Sequence, residues 1–358
     1  MAQQLQLPTG KMVVSPHQRF KLHDRSFANL AKREITRIAE SYGFSVADVG
    51  KINIVVSELA SNLLKHTPEG GELLVKPIGK VGIEIISIDN GPGMTDTFRM
   101  MRDGTSTSGT AGEGLGAILR QSDEFDIYSR PESGTVVLSR IYKSHRQVAL
   151  EVPVYTSRFD AGIIMVAKPN ELLCGDGFAI YMEGNDCYLI ALDGLGHGAN
   201  ANEASTLAAN AFLSNYNIDP AANLRLLHEA IRRSRGAVGT IVHISASKKK
   251  ISYCGIGNIS GKIYTLDGTA ISSISSRNII AYNGIIGHNI PTSFSTQQSD
   301  WNSSSLLVLH SDGIRTRWDI SKYPNLQRSD PSVIAAVIYK EHTRYTDDSM
   351  VAIVRPKV

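Results

Sequence analysis

The chain has 358 residues, of which 42% are hydrophobic and 20% charged, which excludes a disordered chain and leaves room for two globular domains. A net charge of +3 gives no argument for a nucleic-acid-binding surface. No apolar run reaches the roughly 18 residues that cross a membrane, the first residues lack the features of a secretion signal, and the three cysteines form no CxxC pair. We therefore expect a cytoplasmic protein with reduced thiols and without nucleic-acid or membrane partners.

The first half of the chain has the pattern of an α+β domain. Residues 1–15 look like a short leader, and apolar side chains at helical spacing predict helices over residues 25–42 and 46–65. Strands are predicted over residues 72–77, 82–89, 124–129 and 135–141, and a stretch rich in Gly, Ser and Thr over residues 103–116 leads into a short helix. This order predicts an N-terminal α/β sandwich over residues 10–142 and a linker over residues 143–157.

Polar residues in this half occur where a nucleotide can be held. Glu58 and Asn62 are four positions apart and share one face of the second predicted helix. The strand over residues 82–89 ends in Asp89, whose carboxylate can accept a hydrogen bond from an adenine amine. Gly91 and Gly93 would let the following loop pass close to a base or phosphate. The glycines that open the next helix, where free backbone N–H groups suit phosphate binding, are Gly112, Gly114 and Gly116.

Residues 10–142 resemble the GHKL (Bergerat) ATP-binding fold, most closely the serine kinases of the anti-sigma-factor type. The segment from Glu58 to His66 resembles the N box, and Asp89-x-Gly91-x-Gly93 and Gly112-x-Gly114-x-Gly116 resemble the two glycine boxes. The resemblance implies that Asn62 holds Mg²⁺ on the ATP phosphates, that Glu58 is the base for a seryl hydroxyl, and that Asp89 binds adenine. It also implies a mobile lid over the Ser/Thr-rich stretch. The ATP-binding residues it implies are Glu58, Asn62, Asp89, Gly91, Gly93, Gly112, Gly114, Leu115 and Gly116.

The second half, residues 158–358, changes to many short β-branched strands, interrupted by helical stretches over residues 202–215 and 221–235. This pattern predicts a β-sandwich flanked by helices. Gly184-Asn185, between two strand-like runs, is a predicted two-residue hairpin turn. That turn places Asp176 directly opposite Asp193, with Cβ atoms roughly 4.5–5.5 Å apart. Two carboxylates this close need a proton or a cation between them, and a hard divalent cation is the natural partner.

Further acids lie at strand ends in the same half. The apolar run over residues 305–310 leads to Asp312, and Asp347-Asp348 precedes the strand predicted over residues 349–354. The glycines that follow Asp193 would let backbone carbonyls approach a metal ion. Four acids at strand ends predict a shared metal site at one edge of the sandwich.

This half resembles the metal-dependent PPM-type serine/threonine phosphatases, in the SpoIIE/RsbX-like bacterial branch that serves sporulation and stress signalling. The motifs that carry the resemblance are Cys174-Gly175-Asp176, Asp193-Gly194-Leu195-Gly196-His197-Gly198, Ser311-Asp312-Gly313 and Asp347-Asp348. It implies an α-β-β-α sandwich in which two Mn²⁺ or Mg²⁺ ions activate a water for attack on phosphorus. The implied ligands are Asp176, Asp193, Asp312, Asp347 and the carbonyl of Gly194, with Asp176 and Asp193 as catalytic residues. Motif alignment favours Asp347 over Asp348 as the metal ligand. His197 is not assigned as the general acid.

Both motif sets on one chain predict a bifunctional partner-switching regulator of bacterial stress signalling. The C-terminal domain would hydrolyse phosphoserine or phosphothreonine on a protein, and the N-terminal domain would bind ATP and phosphorylate a protein serine or threonine. By resemblance, the substrates are anti-sigma antagonist or stressosome-type proteins, and a sigma factor is a further candidate partner. Two alternatives stay open, in which the N-terminal domain is a non-catalytic ATP sensor that regulates the phosphatase, or a module that sequesters a partner.

Overall fold

The computed structural model describes residues 10–101, 114–144, 157–266 and 274–357. The chain divides into two compact units, one of His17–Pro153 and one that joins Met1–Pro16 to Val154–Val358. The linker predicted over residues 143–157 lies mostly outside the described residues, so its bounds stay a prediction. The three cysteines are all free, as predicted, and all are buried. Among the described residues, no helix is long and apolar enough to cross a membrane.

Both units contain helices and strands. The helices are α1 (Arg25–Ser41), α2 (Val46–His66), α3 (Thr97–Met100), α4 (Gly114–Gln121), α5 (Ala199–Ser214), α6 (Pro220–Ala230) and α7 (Pro331–His342). The strands of the first half are β1 (Met12–Val13), β2 (Gln18–Leu22), β3 (Gly71–Ile78), β4 (Gly82–Asp89), β5 (Glu124–Ser129) and β6 (Thr135–Tyr142). Those of the second half are β7 (Phe159–Val166), β8 (Asp176–Glu183), β9 (Asp186–Gly194), β10 (Ala237–Ser245), β11 (Lys250–Ile256), β12 (Ser260–Leu266), β13 (Ile274–Ile279), β14 (Gln297–Asp300), β15 (Ser305–His310) and β16 (Ser349–Pro356).

The unit of His17–Pro153 is a five-stranded antiparallel sheet in the order β2-β3-β4-β6-β5, with α1, α2 and α4 packed on one face. Asp24 begins α1 by accepting hydrogen bonds from two backbone N–H groups, and Ser45 caps α2 by accepting one from Asp48 N–H. The apolar stripes of the helices bury Ile35, Ile52 and Leu59 against the sheet. This architecture confirms the predicted α/β sandwich.

A row of charged side chains crosses this sheet and fixes its register. Lys76, Glu84, Arg140 and Glu124 are direct neighbours on β3, β4, β6 and β5. The Glu84 carboxylate lies 2.7 Å from Arg140 Nε and 3.2 Å from both Lys76 Nζ and His17 Nε2. Burial alone would raise the pKa of Glu84, but the nearby cations lower it well below its ordinary value. A one-residue slip of a strand would separate these buried charges, so the row disfavours other registers.

The other unit is a sandwich of two sheets. One sheet has the order β1-β8-β9-β10-β11-β14 and the second has the order β13-β12-β15-β16-β7. Buried side chains from both sheets, among them Phe178, Leu189, Leu307 and Met350, form the core between them. Helix α5 packs on β8 and β9, and α7 packs on β7 and β16. This arrangement confirms the predicted α-β-β-α sandwich.

The fold of this unit differs from the sequence prediction in three places. The helix predicted to end at residue 235 ends at Ala230, because the chain turns through Gly236, at φ +81, to enter β10. Helix α7 was not predicted, since its apolar residues surround the helix and leave no polar face. The predicted leader contains β1, which pairs with β8 and is followed by a hydrogen bond of 2.8 Å from Val14 N–H to Phe178 O. A two-residue strand carries no alternating pattern that the sequence could reveal.

Candidate functional site

The β8–β9 hairpin brings two aspartates face to face. The strands join through Gly184, at φ +54, and Asn185, and Asp176 is the register partner of Asp193. The predicted turn and the predicted pairing are both confirmed. Directly opposed side chains in such a pair have Cβ atoms roughly 4.5–5.5 Å apart, so two ionised carboxylates here repel one another.

The second sheet delivers further acids to the same end of the sandwich. Strand β15 ends just before Ser311-Asp312, and the neighbouring strand β16 begins just after Asp347-Asp348. The two loops cross closely, because a Cβ on Gly313 would lie 1.8 Å from the carbonyl oxygen of Asp348. Only glycine permits this crossing, which explains the Asp-Gly pair at the end of β15.

Burial and mutual repulsion raise the pKa values of the paired aspartates. For Asp176, burial is the largest cause and the charge of Asp193 the next, and the pKa lies well above its ordinary value. For Asp193, burial and then the charges of Asp312, Asp347 and Asp348 raise the pKa to about 7. The five carboxylates therefore share one electrostatic site. Clustered acids of which two, Asp176 and Asp193, have pKa values raised by burial and by their neighbours form a donor set that suits a hard divalent cation.

Asp347 and Asp348 have different surroundings. Asp348 is buried, and its Oδ1 accepts a hydrogen bond of 2.9 Å from Lys168 N–H. Burial raises the pKa of Asp348, while hydrogen bonds from the Lys168 and Gly175 backbones lower it. Asp347 is less buried, and its charge raises the pKa of Asp193 more than the charge of Asp348 does. These surroundings favour Asp347 as a metal ligand and assign Asp348 to holding the backbone that leads into β8.

Two polar side chains that the sequence analysis missed orient these acids. Ser311 Oγ donates to Asp176 Oδ2 at 2.7 Å and accepts from the Met350 N–H at 2.9 Å. Asn258 Nδ2 donates to Asp312 Oδ2 at 3.0 Å. Such contacts fix the carboxylate rotamers, which is the role that outer-shell groups have in metal sites. The sequence could have indicated Ser311, because it precedes Asp312 in the motif. Asn258 is distant in sequence, and only the fold places it beside Asp312.

The donor set fits divalent cations. In the described ranges, no three His, Cys, Asp or Glu side chains already converge closely enough to enclose an ion. The carboxylates nevertheless lie close enough to raise the pKa values of Asp176 and Asp193, and all their donors are oxygens, which Mg²⁺ and Mn²⁺ prefer. The groups that would hold the ions are Asp176, Asp193, Asp312, Asp347 and the carbonyl of Gly194, at the end of β9.

In the other unit, helix α4 begins against the polar pair on α2. A Cβ on Gly114 would lie 3.2 Å from Glu58 Oε2 and 3.3 Å from Asn62 Oδ1. The first backbone N–H groups of α4 therefore lie beside both side chains, where phosphate and its cation could be held. Gly116 is buried on the same helix, and Leu115 packs against the core. Gly112 lies outside the described residues.

The loop after β4 is folded around Asp89. Its Oδ1 accepts hydrogen bonds from Gly91 N–H at 2.8 Å and from Thr135 N–H at 3.2 Å. Gly93 has φ +67, and a Cβ there would lie 2.0 Å from the carbonyl oxygen of Arg130. The two glycines of the predicted box thus let the loop close on itself and on its neighbours. Glu58, Asn62, Asp89 and this loop belong to one unit of the chain.

Two family profiles match the chain, one in each half. The profile "Histidine kinase-, DNA gyrase B-, and HSP90-like ATPase" matches residues 47–143, and "Stage II sporulation protein E (SpoIIE)" matches residues 183–351. The serine/threonine-protein kinase RsbT of Bacillus subtilis (strain 168) is 39% identical over 111 residues, which cover 30% of this chain and 84% of RsbT. The chain belongs to the RsbT-like kinases, and its second half is a SpoIIE/RsbX-like phosphatase domain.

Two further relatives concern the SpoIIE/RsbX-like domain. The phosphoserine phosphatase RsbX of Bacillus subtilis (strain 168) is 23% identical over 153 residues, covering 42% of this chain and 73% of RsbX. A solved structure described as "The bacterial stressosome: a modular system that has been adapted to control secondary messenger signaling" is 25% identical, with a TM-score of 0.50, and covers 55% of this chain and 99% of that chain. The SpoIIE profile includes Asp193, Asp312 and Asp347 but begins after Asp176. The ATPase profile includes Glu58, Asn62 and Asp89.

Proposed function

We propose that this chain is a bifunctional regulator of bacterial stress signalling. Its SpoIIE/RsbX-like domain is a divalent-metal-dependent phosphoserine/phosphothreonine protein phosphatase, and its RsbT-like domain binds ATP with Mg²⁺ and phosphorylates a protein serine or threonine. The observation that carries the phosphatase proposal is the pairing of Asp176 with Asp193, joined by two acids from the second sheet. We place the boundary between the domains within residues 143–157.

The residues of the phosphatase site have separable tasks. Mn²⁺ or Mg²⁺ ions held by the four ligand aspartates would supply a nucleophilic water and neutralise the phosphoryl oxygens. Ser311 fixes the Asp176 carboxylate, and Asn258 fixes that of Asp312. Asp348 holds the Lys168 backbone and so the approach to β8. Because the hydrogen bonds set these rotamers in advance, the ligands need little reorganisation when ions and substrate bind.

The kinase proposal depends on Glu58 beside Asn62. Both side chains adjoin Gly114, the first residue of α4, so a base and a magnesium-binding amide would lie next to bound phosphates. A pure ATP sensor needs the amide and the glycines but not the base, so Glu58 favours a kinase over the sensor. The resemblance to RsbT and RsbX, and to a stressosome structure, supports anti-sigma antagonists and stressosome-type proteins as partners.

The phosphatase proposal is tested by phosphate release from a phosphoserine peptide with and without Mn²⁺. We expect release that stops on chelation and that is abolished in Asp176→Asn, which keeps the hydrogen bond from Ser311. Asp186→Asn is the matched control, because Asp186 lies at the opposite, exposed end of the same hairpin. Release that survives chelation in the wild type would overturn the metal mechanism.

The kinase proposal is tested in the Asp176→Asn background, so that the phosphatase does not remove the product. With γ-labelled ATP and a stressosome-type scaffold protein or an anti-sigma antagonist, we expect labelled protein. Adding Glu58→Gln should abolish transfer while ATP binding persists, and adding Asn62→Ala should abolish magnesium-dependent ATP binding itself. Clear ATP binding without transfer to any of these partners would favour the sensor instead.

A further inference from the structure

An arginine lies beside the loop that follows Asp193. Leu195 N–H donates a hydrogen bond of 3.0 Å to Gly236 O, and β10 pairs with β9 from the partners Ala237 and Gly194 onwards. Arg235 lies two residues before Ala237, and its own carbonyl oxygen lies 2.8 Å from His288 Nε2. Its backbone is therefore anchored on both sides, at the end of the sandwich where the acids gather.

The side chain of Arg235 lies over the same loop. A Cβ on Gly196 would lie 3.2 Å from Nη1, 3.3 Å from Cζ and 3.6 Å from Nη2 of Arg235. These three similar distances show that the flat guanidinium faces the Gly196 backbone. Gly196 has φ +87, a left-handed conformation that favours glycine. The arginine thus lies over Gly196, which is three residues beyond Asp193, a predicted metal ligand.

The charge of Arg235 has no acidic partner in the described part of the chain. Its neighbour Arg232 pairs with Glu229 at 2.9 Å, whereas no salt bridge of the described residues includes Arg235. His197, which follows Gly196, is instead bound to Glu171 at 2.7 Å. Arg235 is exposed. Arg235 thus places a cation over the loop that follows Asp193, and no carboxylate of the described residues forms a salt bridge with it.

We propose that Arg235 is the phosphate-binding residue of the SpoIIE/RsbX-like site, a role that rests on the proposed phosphatase function. A phosphoseryl group carries nearly two negative charges near neutral pH and is repelled by clustered carboxylates. An arginine fork donates two parallel hydrogen bonds to two phosphoryl oxygens, a geometry that lysine cannot reproduce. Arg235 would hold a phosphate monoester dianion against the Gly196 loop, with its phosphorus toward the acid cluster, and would reject the unphosphorylated serine.

The test measures phosphate binding and hydrolysis separately on the full chain with Mn²⁺. Inorganic phosphate is titrated by calorimetry, and p-nitrophenyl phosphate serves as the substrate. Arg235→Ala should weaken phosphate binding and raise KM by about ten-fold or more, the effect of losing a charge-assisted hydrogen bond. Arg235→Lys should recover only part of the affinity. Arg233→Ala is the matched control, since Arg233 is exposed two residues earlier and makes no described ion pair.

The results separate the arginine from the phosphatase proposal. Unchanged phosphate affinity and KM in Arg235→Ala, or an equal loss in Arg233→Ala, would overturn the assignment. Failure of the wild type to bind phosphate would also overturn it. If the wild type binds phosphate and the affinity falls selectively in Arg235→Ala, the assignment of Arg235 holds. If that same wild type hydrolyses no phosphate ester, only the proposed phosphatase activity is refuted. Because Arg235 is exposed, the thermal unfolding midpoint of the Arg235→Ala variant should match that of the wild type.

Discussion

Replacing Asp193 by asparagine should stabilise the metal-free SpoIIE/RsbX-like domain and destroy its response to metal. Asp193 lies opposite Asp176 in the β8–β9 hairpin, and burial with the neighbouring acids raises its pKa from 3.8 to about 7. Asparagine has nearly the same shape but no charge. It therefore removes the repulsion felt by Asp176, whose pKa is also raised by Asp193, without opening a cavity.

The size and sign of the effect follow from the pKa of Asp193. The folded state holds a proton that the unfolded state has lost between pH 3.8 and about 7, so the free energy of unfolding falls as the pH rises through this window and is lowest above it. Each pKa unit corresponds to about 1.4 kcal/mol. Asp193 is partly exposed, which weakens the effect, so we expect Asp193→Asn to gain roughly 2 kcal/mol at pH 8, or about 4–8 °C in Tm.

Tryptophan fluorescence isolates the domain, because both tryptophans of the chain, Trp301 and Trp318, are buried in it. Thermal unfolding in a chelator at pH 8 should show the gain for Asp193→Asn, and the gain should shrink at pH 5. With Mn²⁺ the order should reverse, because only the wild type binds the ions. Asp186→Asn, on the same strand, should show neither effect. A metal-free Asp193→Asn that is less stable than the wild type at pH 8 would refute the reasoning.

Three further predictions concern other contacts. Asn258→Ala should lower Mn²⁺ affinity in calorimetry by about ten-fold or more, because the Asp312 carboxylate loses its hydrogen bond. Glu84→Gln should destabilise the RsbT-like domain by about 3–5 kcal/mol at pH 7, because buried cations lose their counter-ion. Urea unfolding followed by circular dichroism measures this difference. Since the pKa of Glu84 is lowered, the difference should persist above pH 4.5 and vanish as the pH falls through the folded pKa. Val14→Asp should lower the stability of the SpoIIE/RsbX-like domain, measured by tryptophan fluorescence, by about 2–3 kcal/mol. Val13→Asp should change this stability little, because Val14 is 6% exposed and Val13 is 39% exposed.

The parts of the site that sequence analysis could predict are those set by short-range geometry. The turn at Gly184-Asn185 determines the register of its hairpin, so the opposition of Asp176 and Asp193 follows from counting residues. The partner of Asp312 could not be predicted in this way, because Asn258 reaches it through the pairing of β12 with β15, two strands that are not joined by a hairpin turn. Helix α7 was missed for a related reason, since a helix without a polar face has no periodic signal.

If the two proposed activities oppose one another, the chain would consume ATP, and this consumption can be measured. Glu58 and Asn62 lie in one compact unit, and Asp176 and Asp193 lie in the other, so one chain would supply equal amounts of the two proposed activities. If both activities met the same seryl group, each round would consume one ATP and return the protein unchanged. With a limiting amount of partner, the wild type would then consume ATP continuously, while Asp176→Asn would stop after one equivalent. If the activities act on different phosphoproteins, ATP consumption by the wild type and by Asp176→Asn would stop after one equivalent, because no phosphate is removed from the kinase product.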